Sequence, residues 1–243
     1  MTYTCATLEV AEHPILFNEP MSAAARAGHK SQTRRIAIPK RSYIDFIGGG
    51  PKAGPDWNDP SCWGFEDPNT GIWWALRGNE ECRQIPCPYG NVGDHLWVRE
   101  TYVAYGRWET RFSAKKERDE WHFVDMTLET GREYRFGGDL PNAARGSVTP
   151  AWWRRPSIFM PRAASRTLLE VTGVRAERLQ AISWDNAIAE GIPDPRRAVL
   201  RVDPVDGCIA QFRQLWDGLN AARGHGWDAN PWVWAIEFRR VES

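Results

Sequence analysis

From Trp232 to Arg239 the large apolar side chains of Trp232, Trp234, Ile236 and Phe238 alternate with Val233, Ala235, Glu237 and Arg239. A period of two is the signature of an extended strand whose two faces meet different surroundings. Such a strand needs partners. Thr167 to Val174, rich in β-branched and apolar residues, predicts one. Leu96-Trp97-Val98-Arg99, launched by the Gly93-Asp94 turn, predicts another.

Helices are legible between them. Pro20 followed by Met21 to Ala27 and then Gly28 has proline in a first turn and glycine just past an end. Ser183 to Glu190 carries a natural N-cap, with Gly191 as its stop. Ile209, Phe212, Leu215, Trp216 and Leu219 recur at helical spacing, a core-facing stripe that Asp206 or a neighbour would cap. Residues 39–88 are rich in Gly, Pro, Asp and Asn, with a clear breaker at Gly48 to Pro51 and a hairpin expected around Ile72 to Leu76. A second surface hairpin is expected from Trp121 to Phe136. No repeat and no regular βαβ alternation is present, so the pattern predicts an α+β chain built on a small barrel or curled sheet.

Lys+Arg 31 balance Asp+Glu 31, which excludes a uniformly basic nucleic-acid coat. The balance is a sum over separated regions. Arg26, Lys30, Arg34, Arg35, Lys40 and Arg41 form one stretch without an acid, and Arg145, Arg154, Arg155, Arg162 and Arg166 form another. Asp56, Asp59, Glu66, Asp67, Glu80 and Glu81 are opposed only by Arg77. Solvated faces account for such runs, and so does phosphate contact; Trp152 and Trp153 beside Arg154 and Arg155 add rings on which bases can stack. With 14 Trp in the chain, rings are available both for a core and for a ligand.

No apolar run of about 18 residues exists and the N-terminus lacks a signal-like pattern, so a cytosolic protein without membrane contact is expected. Five cysteines, irregularly spaced, do not make a disulfide framework. Cys62, Cys82, Cys87 and His95 can be assembled into a four-ligand zinc set, but without a CxxC knuckle they read first as ordinary buried thiols, and no cofactor is expected.

The densest chemistry is Gly28-His29-Lys30-Ser31-Gln32-Thr33-Arg34-Arg35, with an amine, two hydroxyls and two guanidiniums in eight residues. A desolvated, neutral lysine can activate a nearby hydroxyl. By composition alone the turn reads first as a basic one that binds phosphate or merely faces water.

Gly28, Lys30, Thr33 and Arg35 resemble the signature turn of ASCH domains, small PUA-like β-barrels associated with RNA and modified bases. The resemblance continues through Gly93 to Val98, Val171 to Ile192 and Trp232 to Phe238. The whole chain is similar to long phage or prophage ASCH proteins at Pro14 to Met21, Gln32 to Arg35, Cys87 to Gly90, Leu96 to Thr101, Arg155 to Ile158, Met160 to Arg162 and Trp227 to Trp232. It implies a single domain, residues 1–243, with a barrel core at about 13–35, 86–104 and 162–241 and two long insertions at about 36–85 and 105–161. It also implies a phage- or prophage-encoded protein in the bacterial cytoplasm.

One branch of the family hydrolyses the amide of N4-acetylcytidine with a lysine, a threonine and a glutamate. Carried over by motif, these fall on Lys30, Thr33 and Glu190. Thr33 would attack the acetyl carbonyl, Lys30 would take its proton, and Glu190 would assist proton traffic at the leaving amine. Arg35, or a backbone N–H of the Lys30 turn, would steady the oxyanion, with Arg34, Gly28, Arg99 and Glu100 as further substrate-binding candidates. The commoner family signature has glutamate where Thr33 stands. A non-catalytic module holding RNA or DNA with a modified or flipped base, through Arg154, Arg155, Trp152, Trp153 and Arg162, is the alternative. In either case the expected partner is a nucleoside, nucleotide or nucleic acid.

Overall fold

The computed structural model describes residues 10–37, 64–66, 73–76, 82–84, 87–140, 144–194 and 204–241. In chain order the elements are β1 (Glu12–Leu16), α1 (Glu19–Arg26), β2 (Gln32–Ile36), β3 (Gly64–Glu66), β4 (Trp73–Leu76), β5 (Cys82–Gln84), β6 (His95–Arg99), β7 (Tyr102–Ser113), β8 (Arg118–Asp125), β9 (Ala151–Arg155), β10 (Leu168–Arg178), α2 (Trp184–Ala189), α3 (Pro204–Asn220) and β11 (Trp232–Arg240). They divide into two compact units: Met1–His13, Ala23–Leu96 and Thr167–Ser243 form the first, Pro14–Ser22 and Trp97–Arg166 the second.

The first unit is organised by β11. It pairs antiparallel with β10 on one side and β2 on the other, inside a five-stranded sheet of order β1-β6-β10-β11-β2. The order makes β11 an interior strand, which explains why Val233, Ala235 and Ile236 are fully buried. The sheet is not the closed barrel expected from the sequence. It is open, with β1 and β2 as its two ends. Closure needs the end strands to pair, and each has only five residues. Just before β2, the Ser31 N–H donates to the carbonyl of Ala189 at the end of α2 (2.9 Å). In a second, three-stranded sheet of order β3-β4-β5, the segment where a hairpin was expected, around Ile72 to Leu76, carries instead a single middle strand, β4.

Register assigns the side chains of this sheet to faces. Gln32, Arg34 and Ile36 of β2 stand opposite Glu237, Ala235 and Val233 of β11, which in turn stand opposite Gly173, Arg175 and Glu177 of β10. The Val233 end of this face is apolar: Val233 packs with Leu179, Ile182, Ala187 and Ile192 around α2, and with Cys208, Phe212 and Trp216 of α3. Thr33, Arg35, Trp234 and Ile236 alternate onto the other face. The register slips between Val171 and Gly173. A Cβ at Gly173 would lie 3.0 Å from Glu237 Oε2, so glycine there leaves room for that carboxylate.

In the second unit β7 is the middle strand of a sheet of order β8-β7-β9. The expected hairpin from Trp121 to Phe136 is displaced: the hairpin is β7-β8, with Ser113 opposite Arg118, and the charged run from Lys115 supplies its turn. Lysine, arginine and glutamate tolerate a solvated turn, and the aromatic residues on both sides make the strands. Tyr102, Ala104, Met160 and Ala164 form this unit's buried core. No helix among the described residues is long and apolar enough to cross a membrane.

Candidate functional site

Two chain ends of helices bring the site together. Helix α1 ends where His29 N–H donates to Ala24 O (2.9 Å) and Gly28 N–H to Ala25 O (3.2 Å), with Gly28 at φ +73°. A Cβ at Gly28 would touch nothing within 4 Å, so glycine is required there for its left-handed backbone alone. Lys30 follows at once. Helix α2 starts as expected, the Ser183 hydroxyl accepting from Asn186 N–H (3.2 Å), and ends at Glu190, with Gly191 left-handed beyond it. A helix leaves its last carbonyls without intrahelical donors. Lys30 Nζ donates to that of Glu190 at 2.6 Å and to Glu190 Oε2 at 3.0 Å. An ammonium at a helix C-terminus is favoured by the helix dipole as well.

Arg34 closes the arrangement. Its Nη1 donates to Glu190 Oε1 (3.1 Å) and to Gln32 Oε1 (2.8 Å), its Nε donates to Glu177 Oε1 (2.9 Å), and its Nη2 also bonds that oxygen. Gln32 Nε2 donates to Glu237 Oε1 (3.1 Å). Arg175 Nε donates to Glu177 Oε2 (2.8 Å), and its Nη1 pairs with Glu237 Oε1. The guanidinium of Arg34 also lies 5.9 Å from the centroid of the Phe212 ring. Lys30, Arg34 and Arg175 are thus matched by Glu177, Glu190 and Glu237, and the formal charge of the network cancels. Lys30 and Glu190 are each only 4% exposed. Burial pulls the Lys30 ammonium below its ordinary pKa; the Glu190 carboxylate opposes this, and Arg35 and Arg34 add to the lowering. Burial likewise lowers Arg35, against the fields of Tyr89 and Glu190.

Of the residues singled out from sequence, Lys30, Arg34 and Glu190 meet directly. Thr33 is 2% exposed on β2, and the pleat turns it and Arg35 away from Gln32 and Arg34. Glu100 and Arg99 belong to the second unit. Glu100 receives both Nε (2.9 Å) and Nη2 (3.1 Å) of Arg166; Arg99 bonds the Ile158 carbonyl and lies over the Trp97 ring. Trp152, Trp153, Arg154, Arg155 and Arg162 are in the second unit too, on β9 and the short turn Arg162–Ala164. Glu177, Arg175 and Glu237 were not anticipated, and Gln32 was noted only as part of the Lys30 turn. Their signal is a polar or charged side chain at alternate strand positions, which on an edge would mean a solvated face.

Of the zinc set, Cys62 and the side chain of Cys82 lie outside the described residues, as do the acidic stretch apart from the backbone of Glu66, and Lys40 and Arg41. Among the described residues no group of three or more metal-ligating side chains occurs. Burial pushes the Cys87 thiol up to about 11, against a backbone hydrogen bond at Tyr89, so at neutral pH the sulfur is a thiol and not a nucleophilic thiolate. Site-resolved alkylation by iodoacetamide should therefore run about 100-fold slower at Cys87 than at a free cysteine near neutral pH. It should accelerate as the pH approaches 11. Labelling at the free-cysteine rate near neutrality would contradict this environment. Comparison with family models, with curated proteins and with solved structures finds no match for the chain.

Proposed function

We propose that this protein is an amidohydrolase of an N4-acylated cytosine nucleoside or nucleotide, with Lys30, Thr33 and Glu190 as its working set. The observation that carries the reading is the Lys30–Glu190 contact. Two residues 160 positions apart, each picked out by motif resemblance, meet at 3.0 Å in a site closed to solvent. The depressed lysine pKa supports it as well, because a general base must give up its own proton to act.

In this reading neutral Lys30 takes the Thr33 hydroxyl proton as the oxygen attacks the acyl carbon. The C–N bond then breaks, the proton passes to the leaving cytosine amine, and water releases the acid from the acyl-threonine. Arg35, whose guanidinium interacts with the Glu190 field, is the candidate for the oxyanion. The burial that tunes Lys30 also means that the site has to open locally to admit a nucleobase.

Incubation with N4-acetylcytidine and related N4-acyl nucleosides, following cytidine release, is the test. Wild type should turn over. Lys30→Ala and Thr33→Ala should each lose about 10²–10⁴-fold in rate while still melting cooperatively. The sign of the pH dependence follows from the base: protonated Lys30 is inactive, so the rate should rise with pH and level off below lysine's ordinary 10.5. Absence of turnover by wild type across the series overturns the assignment.

A further inference from the structure

The pleat of β9 splits the Arg-Trp run that the sequence presents as one patch. Trp153 and Arg155 turn to the face that carries Tyr102 and Ala104. There the Trp153 ring meets Trp108 at 5.9 Å and its Nε1 donates to Gly106 O (3.1 Å), while Arg155 is stacked 4.7 Å from the Trp108 centroid and 4.4 Å from that of Phe123. Arg155 is buried and these groups are engaged internally. Trp152 and Arg154 turn to the opposite face, where Tyr105 stands across from Trp152 with ring centroids 5.4 Å apart.

Two arginines with no special place in the sequence complete that face. The Arg135 guanidinium lies 3.9 Å from the Trp152 centroid, and that of Arg132 lies 4.0 Å from the Tyr105 centroid. Arg132, Arg135 and Arg154 are exposed, and among the described residues no carboxylate is ion-paired with any of them. The outer part of the same hairpin is different: Arg111 pairs with Glu109 (2.7 Å) and Lys116 with Glu120 (2.7 Å). Lys115 in the hairpin turn and Arg145 over the Trp108 ring (4.4 Å) are also without an ion pair among the described residues, but Arg132 and Arg135 are the ones that lie over Tyr105 and Trp152.

The geometry points to a binding surface for single-stranded nucleic acid formed by Arg132, Arg135, Arg154, Tyr105 and Trp152. A guanidinium about 4 Å over a ring centroid is held in place by that ring while, being exposed, it keeps surface on which an unpaired base can stack and N–H groups that can take a phosphate oxygen. A duplex hides its base faces and would use only the charges. These residues belong to the second unit and Lys30 to the first, and the test reads binding rather than turnover, so either assignment can fail alone.

Anisotropy of a labelled single strand of about 20 nucleotides, oligo(dT) and oligo(rU) in turn, at about 50 and about 200 mM salt, tests the proposal. Wild type should bind more tightly at the lower salt. The triple variant Arg132→Gln/Arg135→Gln/Arg154→Gln should bind about tenfold or more weakly, with the slope of log K against log salt flattened by about 2. Arg107→Gln/Arg111→Gln, beside Glu109 on the same hairpin, should bind as wild type does, and thermal melts of both variants should match wild type. Absence of binding by wild type, or triple-variant binding equal to wild type, overturns the proposal. So does equal or tighter binding of a duplex of the same length, or binding confined to vesicles of phosphatidylserine and phosphatidylcholine.

Discussion

Glu190→Gln is expected to lower the unfolding free energy by about 3–5 kcal/mol, because it removes one member of a buried charge set and leaves the others in place. Glu190 serves two cations at once, Lys30 through Oε2 at 3.0 Å and Arg34 through Oε1 at 3.1 Å. The Arg34 side chain is fully buried and that of Lys30 nearly so, and neither can reach water to recover hydration when the carboxylate is neutralised. Glutamine keeps the shape and an acceptor oxygen, so the loss reports the charge rather than a cavity. Urea unfolding of wild type and variant measures it. The double variant Lys30→Met/Glu190→Leu should lose less than Glu190→Gln alone, since it removes the cation that the single change strands. A loss below about 1 kcal/mol in the single variant would mean that the remaining charges are not isolated from solvent.

Trp216→Ala should cost about 3–5 kcal/mol by a different route, the cavity left when a buried ring is deleted. Trp216 is 5% exposed on α3, inside the cluster that joins Leu179, Ile182, Phe212 and Val233. Its ring lies 6.2 Å from that of Phe212, and its Nε1 donates to His225 O at 2.7 Å, so alanine also removes that hydrogen bond. Trp216→Phe keeps most of the apolar volume and should cost less than half as much. Denaturant unfolding of the pair distinguishes the cavity from the hydrogen bond: equal losses in both variants would assign the whole effect to the bond with His225.

The elements legible in the sequence are those whose signal is local. Ser183 and Gly191 bound α2 because a cap and a left-handed stop act within one turn, and the alternation in Trp232 to Phe238 marks β11 because a strand's faces alternate wherever it lies. The β7-β8 hairpin was displaced because charge in Lys115 to Glu120 reads as a solvated strand face as readily as a turn, and only cross-strand pairing separates the two. Barrel closure failed as an expectation for a related reason: whether the two five-residue end strands β1 and β2 pair is decided by sheet order across the chain, which no local signal carries.

The candidate site divides the same way. Residue types suited to base and proton-transfer chemistry at Lys30 and Thr33, and the helix-ending glutamate at position 190, are properties of short segments, and so is the balance of 31 cations against 31 anions. Which of those charges are neutralised is not. Arg34 is matched by Glu177 and Glu190, while Arg132, Arg135 and Arg154 keep their charge at the surface. Coulombic pairing falls off over a few ångströms and burial decides its strength, so it depends on spatial neighbours set by strand register and pleat. Only the tertiary structure puts Lys30 beside Glu190, and sets Trp152 and Trp153 on opposite faces of their sheet against different neighbours.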